Sequence, residues 1–175
     1  MNPHKCDHHH HDPAPAGYYW RDYSGEVPKD AYPAGHDLNN KPTYIGQAYL
    51  SGVGIIPTTV YPGQTGMNLP CNWKANYSTI GMKILCTSNP NSLSWENANA
   101  SDLHLTTIGK QLVVGGYEIE KMLNVGRVMH QGELIAGKVL VYNIGSAQLH
   151  YIGGGTEVAV SSYQVLTQSS PNKCC

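Results

Sequence analysis

Three charged side chains stand at corresponding places in a chain that repeats itself once, and together they suit the trapping of hydroxyl groups. Asp37 follows Gly35-His36, Glu118 follows Gly115-Gly116-Tyr117, and Lys138 follows Ala136-Gly137. In each half, one expected hairpin separates the acid from the later position. A carboxylate accepts from two vicinal sugar hydroxyls while an ammonium donates to the same oxygens. The bland alternative is an exposed ion pair worth at most about 1 kcal/mol, and spacing alone favours it. The chain has 12 Tyr, no Phe and only 13% charged residues. That suits stacking on sugar faces, although Tyr is also the usual aromatic of half-buried strands.

Other chemistry is thinner. Asp7-His8-His9-His10-His11-Asp12, with His4 and Cys6 nearby, offers transition-metal ligands. A structural metal site needs fixed geometry, and a run of identical residues beside prolines supplies none. It reads as a flexible tail with adventitious affinity or a tag remnant, so no metal and no cofactor is expected. The chain holds no Gly-x-Ser-x-Gly elbow, no His-Glu-x-x-His, no phosphate loop and no Cys-x-x-Cys. His36, His104, His130 and His150 are far apart in sequence. No enzyme is expected.

The repeat sets the elements that must position these residues. Ala34-Gly-His-Asp37, Tyr44-Ile-Gly46, Gly52 and Ile55 to Val60 return as Gly115-Gly-Tyr-Glu118, Asn124-Val-Gly126, Gly132 and Leu134 to Val139. The offset falls from 81 (Gly35 to Gly116) through 80 (Gly46 to Gly126) to 79 (Val60 to Val139), as loop-sized indels between equivalent elements require. Met82-Lys-Ile-Leu85 likewise matches Tyr163-Gln-Val-Leu166. A duplicated unit implies two matching surfaces, so any site has a partner or a decayed copy.

The texture from Tyr18 onward is β. Thr43 to Tyr49, Lys138 to Tyr142, Glu157 to Val160 and Tyr163 to Leu166 are short, rich in Val, Ile and Tyr, and punctuated by Gly, Pro and Asn. Gly52, Gly63, Gly132 and Gly153-Gly-Gly155 predict turns with positive φ. No stretch sustains a helical apolar period over three turns; the nearest, Glu118 to Met129, is weakened by Gly126. The expectation is an all-β fold of two tandem pseudo-symmetric repeats in one compact sandwich- or barrel-like domain. Residues 1–17 form a flexible His/Pro-rich lead, 18–90 the first repeat, 91–168 the second, and 169–175 a Cys-terminated tail. Trp20 and Trp95, near the start of each half, are expected to anchor the core of their own unit.

A net charge of −1 carries no electrostatic footprint for nucleic acid, and no apolar run approaches the roughly 18 residues of a membrane helix. The start lacks the apolar core of a secretory signal, which points to the cytoplasm, with secretion by another route as the alternative. Free buried thiols are the common state for Cys71 and Cys86 in that compartment, a local loop between them being the alternative. Adjacent Cys174 and Cys175 read as exposed and open to intermolecular bonding, hence to a homodimer or larger self-assembly.

These residues resemble the DM-nine repeat family, which includes mannose-binding lectins of invertebrates. The first copy reads Trp20, Val27-Pro28, Gly35-His-Asp37, Tyr44-Ile-Gly-Gln47, Pro57-Thr-Thr-Val60 and Ile84-Leu85. The second reads Trp95, Gly116-Tyr-Glu118, Val125-Gly-Arg127, His130-Gln-Gly132, Gly137-Lys-Val139, Glu157 and Tyr163-Gln-Val-Leu166. The likeness covers nearly all of residues 18–168. It implies an all-β domain of two repeats with a mannose site built on the Asp of Gly-x-Asp and the Lys of Pro-Gly-Lys. Both copies depart from that pattern. The first keeps Asp37 but has Thr59 where Lys is expected; the second keeps Lys138 but has Glu118, one methylene longer. The resemblance thus implies a non-catalytic carbohydrate-binding protein in glycan recognition or innate defence, with Glu118 and Lys138 as the better site and Asp37 as half of the other. Mannose-containing glycans are the expected partners, with no nucleic acid and no membrane insertion. The alternative is a self-associating interaction module that has kept the fold and lost the sugar.

Overall fold

The computed structural model describes residues 17–169, and among them the chain is nearly all β. The first repeat contributes β1 (Tyr19–Asp22), β2 (Pro33–His36), β3 (Pro42–Leu50), β4 (Gly54–Val60), β5 (Met67–Cys71), β6 (Lys74–Ser78) and β7 (Lys83–Cys86). The second contributes β8 (Leu93–Asn99), a one-turn helix α1 (Leu103–Thr106), β9 (Gln111–Leu112), β10 (Val114–Glu118), β11 (Lys121–His130), β12 (Glu133–Val139), β13 (Leu149–Gly153), β14 (Thr156–Val160) and β15 (Ser162–Gln168). The connector between them is a short 3₁₀ turn, Pro90–Ser92, with the Asn89 side chain accepting from Asn91 N at its start.

Six strands close into a ring. β2, β3 and β4 follow one another, β4 pairs with β10, β10 with β11, β11 with β12, and β12 returns to β2. All pairings are antiparallel, and closure leaves the ring without a free edge. The two seams are copies of each other: Leu134 pairs with His36 on one side and Ile55 with Tyr117 on the other. Each seam joins a strand of one repeat to a strand of the other, so the halves are consecutive in sequence and interlocked in space.

The register reproduces the internal repeat pair by pair. Ile45 opposes Thr59 as Val125 opposes Lys138, and Gly46 opposes Thr58 as Gly126 opposes Gly137. Both ladders leading into the acidic positions shift register at the same place, between Pro33 and Gly35 and between Val114 and Gly116. Those glycines are dictated by the seams. A Cβ on Gly35 would collide with the Leu134 carbonyl, and one on Gly116 with the Ile55 carbonyl. Across the ring, Gln47 Nε2 donates to the Gly115 carbonyl and Arg127 Nη1 to the Ala34 carbonyl, each at 2.7 Å.

The core follows the same symmetry. One cluster, including Ile56, Val60, Met67, Leu69 and Ile84, lies largely in the first repeat. Its counterpart in the second includes Ile135, Val139, Leu149, Tyr151 and Val165. Between them a shared cluster takes Ile45 and Leu85 from one half and Val125 and Leu166 from the other. Trp20 and Trp95, expected to anchor the core of their own unit, both pack half-buried against this shared cluster instead. The glycines marked for turns adopt positive φ at Gly52, Gly63, Gly132, Gly154 and Gly155, whereas Gly153, also marked, ends β13 as strand. Lys138 to Tyr142 is strand only through Val139, after which the chain turns.

Candidate functional site

The second repeat brings its two charges together. Glu118 ends β10, Lys138 lies one residue from the end of β12, and Lys138 Nζ donates to Glu118 Oε2 at 2.6 Å. The side chains are 9% and 4% exposed, so this is a buried pair and not the exposed one that spacing favours. The turn after β12 swings Tyr142 inward, where its hydroxyl donates to Glu118 Oε1 at 2.6 Å. Burial, and then the neighbouring Glu118 carboxylate, push the Tyr142 phenol well above its ordinary value.

Next to this pair sits a second one. His150 lies directly across from Lys138 on β13, and its Nδ1 is 3.2 Å from Glu157 Oε1 on β14. Both residues are buried, and Glu157 Oε2 has no partner among the described residues. Buried polar atoms are seldom left unpaired, so this oxygen marks the cleft as unfinished.

The wall comes from the other repeat. β5 and β6 form a two-stranded hairpin of their own, the counterpart of β13 and β14 but without their ladder to the ring. Its turn carries Asn72 and Trp73, and Thr156 Oγ1 donates to the Trp73 carbonyl at 3.0 Å, tying the two hairpins together. The Trp73 ring lies 5.4 Å from the His150 ring, tilted 42°, and is otherwise open to solvent. Together with Val53, Cys71, Ile119 and Leu140, these residues line an open cleft of about 350 Å³, within the usual range for small-molecule sites.

The floor has donors and acceptors to spare. An ammonium carries three protons and each carboxylate oxygen two lone pairs. Lys138 spends one proton on Glu118, and each Glu118 oxygen takes one donor, among the described residues. Cys71 is free and buried at the same cleft, but burial pushes its thiol up, the reverse of an activated nucleophile. No hydrogen bond joins it to His150 among the described residues. Cys86 is likewise free and buried, its thiol pushed up to about 11 chiefly by burial. Among the described residues no group of His, Cys, Asp and Glu is suited to hold a metal ion. The His run, Cys6, Cys174 and Cys175 lie outside the described residues.

The first repeat does not bring its residues together in the same way. Asp37 Oδ1 accepts from Asn39 N at 2.8 Å and Lys41 N at 2.9 Å, closing its own turn. Thr59, in the place of Lys138, turns inward: its hydroxyl donates to the Ala136 carbonyl and accepts from Ala136 N. The pocket over Thr59 encloses only about 40 Å³ and is lined by Tyr61, Asn68, Ile135 and Ile152 among others.

Sequence reasoning paired Glu118 with Lys138 but missed Trp73, Tyr142 and His150. Trp73 was findable: applying the repeat to the β5–β6 hairpin sets Asn72-Trp73 against the turn at Gly154-Gly155. Tyr142 has no such signal, because only the tertiary turn after Val139 brings it back.

No family model matches this chain, and no curated protein matches it. Among solved structures it is similar to the nematode sperm cell motility protein MFP2B, with a TM-score of 0.62 at 16% identity. The alignment covers 90% of this chain and 48% of that one, so the chain spans about half the length of MFP2B, and the likeness is one of fold.

Proposed function

We propose that the cleft of the second repeat binds carbohydrate without chemistry on it, taking vicinal hydroxyls of a mannose-type sugar on Glu118 and Lys138. The observation that carries this reading is a buried, hydrogen-bonded ion pair exposed to ligand only through an open cleft with an indole at its side. A buried pair is a poor stabiliser, because desolvation offsets the attraction. Its use lies in the free protons of Lys138 and the free lone pairs of Glu118, which match a diol that both donates and accepts. Trp73 adds a flat apolar wall, the usual partner of a sugar face. The first repeat, with Thr59 in place of the ammonium and little free volume, serves as a decayed copy.

Calorimetric titration with methyl α-mannoside tests the reading. Saturable binding is expected, and Lys138→Ala should abolish it. Removing one charge also strains the fold, so the double variant Glu118→Gln/Lys138→Met, which removes both, should fold and still not bind. A flat response to mannosides and across a glycan array would end the proposal.

A second reading, a self-associating interaction module, is favoured by one feature. Tyr49, Ile55, Tyr117 and Met122 sit opposite one another across β3, β4, β10 and β11, each 39–50% exposed, as one apolar ladder. Sedimentation of wild type against Tyr117→Lys decides it: a single monomeric species in both removes the second reading.

A further inference from the structure

We infer that the cleft is built for a glycoside whose sugar carries an apolar aglycone, with the sugar on the polar floor and the aglycone held between Trp73 and Ile119 at the rim. This rests on the carbohydrate reading above and adds the class of ligand.

The rim is made of two turns that the fold alone does not explain. Asn72 and Trp73 have φ of 54° and 61°; Ile119 and Glu120 have φ of 47° and 63°. Two-residue turns of this kind favour Asn-Gly or Gly-Gly, because only glycine, and to a degree Asn, enters the left-handed region without a steric penalty. An indole there is unfavourable, and a β-branched side chain there is a genuine outlier. The counterpart of Trp73 in the second hairpin is Gly155, at φ 78°. The same architecture therefore accepts glycine at that place.

Core packing does not repay the strain. Trp73 is 64% exposed and Ile119 is 74% exposed. Both line the cleft, from opposite repeats, above Glu118, Lys138, His150 and Glu157. Backbone strain that the core does not account for is characteristic of ligand-contacting positions. Exposed apolar side chains over a polar floor select a ligand with the same division: hydroxyls at one end and hydrocarbon at the other. Ile119 N donates to the Val53 carbonyl at 2.9 Å, so a third apolar side chain of the cleft is held beside this rim.

The test is calorimetric titration of methyl, heptyl and phenyl α-mannosides and of heptanol into the full chain. Wild type, Trp73→Gly and Ile119→Gly are compared, each with its thermal midpoint measured. In wild type the heptyl and phenyl glycosides should bind about 10-fold tighter than the methyl glycoside, or better, as burial of several methylenes or a ring predicts. Ile119→Gly should retain methyl mannoside affinity, whereas Trp73→Gly should weaken it too, because the indole also walls the sugar; each should lose most of the heptyl and phenyl advantage and unfold at a temperature no lower than wild type, since the strained φ is relieved. Equal affinity for methyl and heptyl mannosides in wild type would overturn the inference while leaving the sugar reading intact. An advantage that survives in both variants would overturn it equally. Heptanol binding as well as heptyl mannoside, with methyl mannoside not bound, would uphold the apolar rim but defeat the carbohydrate reading, and with it this inference.

Discussion

The two pockets of this molecule occupy equivalent places on the ring and have been filled by opposite means. Over β12, a Lys side chain reaches Glu118 and leaves about 350 Å³ open. Over β4, the equivalent Thr59 bonds to the backbone of the opposite repeat, Ile135 and Ile152 close in, and about 40 Å³ remains. The turn facing the open pocket carries Trp73; the equivalent turn, in the other hairpin, carries Gly154 and Gly155. Leu140 lines the open pocket where Tyr61 lines the closed one. The comparison teaches that one scaffold can hold a position as a polar anchor or as a structural strut. What decides is whether the side chain there finishes its hydrogen bonds inside the protein. Thr59 finishes both of its bonds on Ala136. Lys138 has protons left over.

The sharpest break of that comparison is therefore at the paired positions themselves. Lys138→Met leaves the Glu118 carboxylate buried with Tyr142 alone, and should cost about 3–5 kcal/mol in chemical denaturation. Glu118→Gln added to it should recover most of the loss, because the unpaired charge is gone. Thr59→Val, at the equivalent position, removes both hydrogen bonds between the Thr59 hydroxyl and Ala136 and should cost about 1–3 kcal/mol. Failure of Glu118→Gln to recover the loss would mean that Lys138 is as much a strut as Thr59, and the contrast would fail.

A second experiment asks whether the seams are as equivalent as their registers. Gly35→Ala and Gly116→Ala each drive a methyl into a carbonyl of the neighbouring repeat. Each should destabilise by about 1–3 kcal/mol, the usual penalty for forcing atoms into a packed site. Their losses should agree with one another. A large loss at one and none at the other would show that one seam alone holds the ring closed.

Much of this was legible in the chain. Recurrence of Gly-x-acid, of a Gly inside a β run, and of a Val five residues after the first member of an apolar pair gave the equivalences, and the register reproduces them. Short runs rich in Val, Ile and Tyr, punctuated by Gly, Pro and Asn, gave an all-β fold. Closure of the ring was not legible, because the pairings of β4 with β10 and β12 with β2 are long-range and leave only a glycine as their mark. The charged pair was legible as a pair but not as a buried one. Burial depends on Tyr142, brought back by the turn after Val139, and on the β5–β6 hairpin of the other repeat. Trp73 was obscured by its type: an indole at a left-handed turn position contradicts local propensity, and such contradictions gather at functional sites.

The turns sharpen the contrast at smaller scale. Trp73→Gly should leave the fold as stable as wild type or raise it by about 1 kcal/mol, since the left-handed penalty for a non-glycine residue is of that order. Gly155→Ala, its mirror experiment, should lower stability by about 1 kcal/mol for the same reason, with nothing near its Cβ to compensate. Urea denaturation at neutral pH reads both. If Trp73→Gly instead destabilises, the indole holds the two hairpins together and its exposed position has a structural cause.

The gentlest difference is invisible at neutral pH. Burial, then the carboxylates of Glu133 and Asp37, push the Tyr61 phenol up to about 12, whereas Leu140 at the equivalent place has nothing to titrate. A raised value means that the folded state favours the neutral phenol. Its contribution is therefore fully present below the ordinary tyrosine value near 10 and is lost as the pH climbs from about 10 through about 12. Tyr61→Phe keeps the ring and removes the titration. It should match wild type at pH 8 and lose less than wild type between pH 8 and pH 11, measured as urea midpoints. Other buried phenols, Tyr142 and Tyr163 among them, are pushed up as well and leave a common alkaline decline in both proteins. The difference between the two declines belongs to Tyr61. If they coincide, the phenol ionises freely at the mouth of its pocket, and the first repeat's site is more open than its small volume implies.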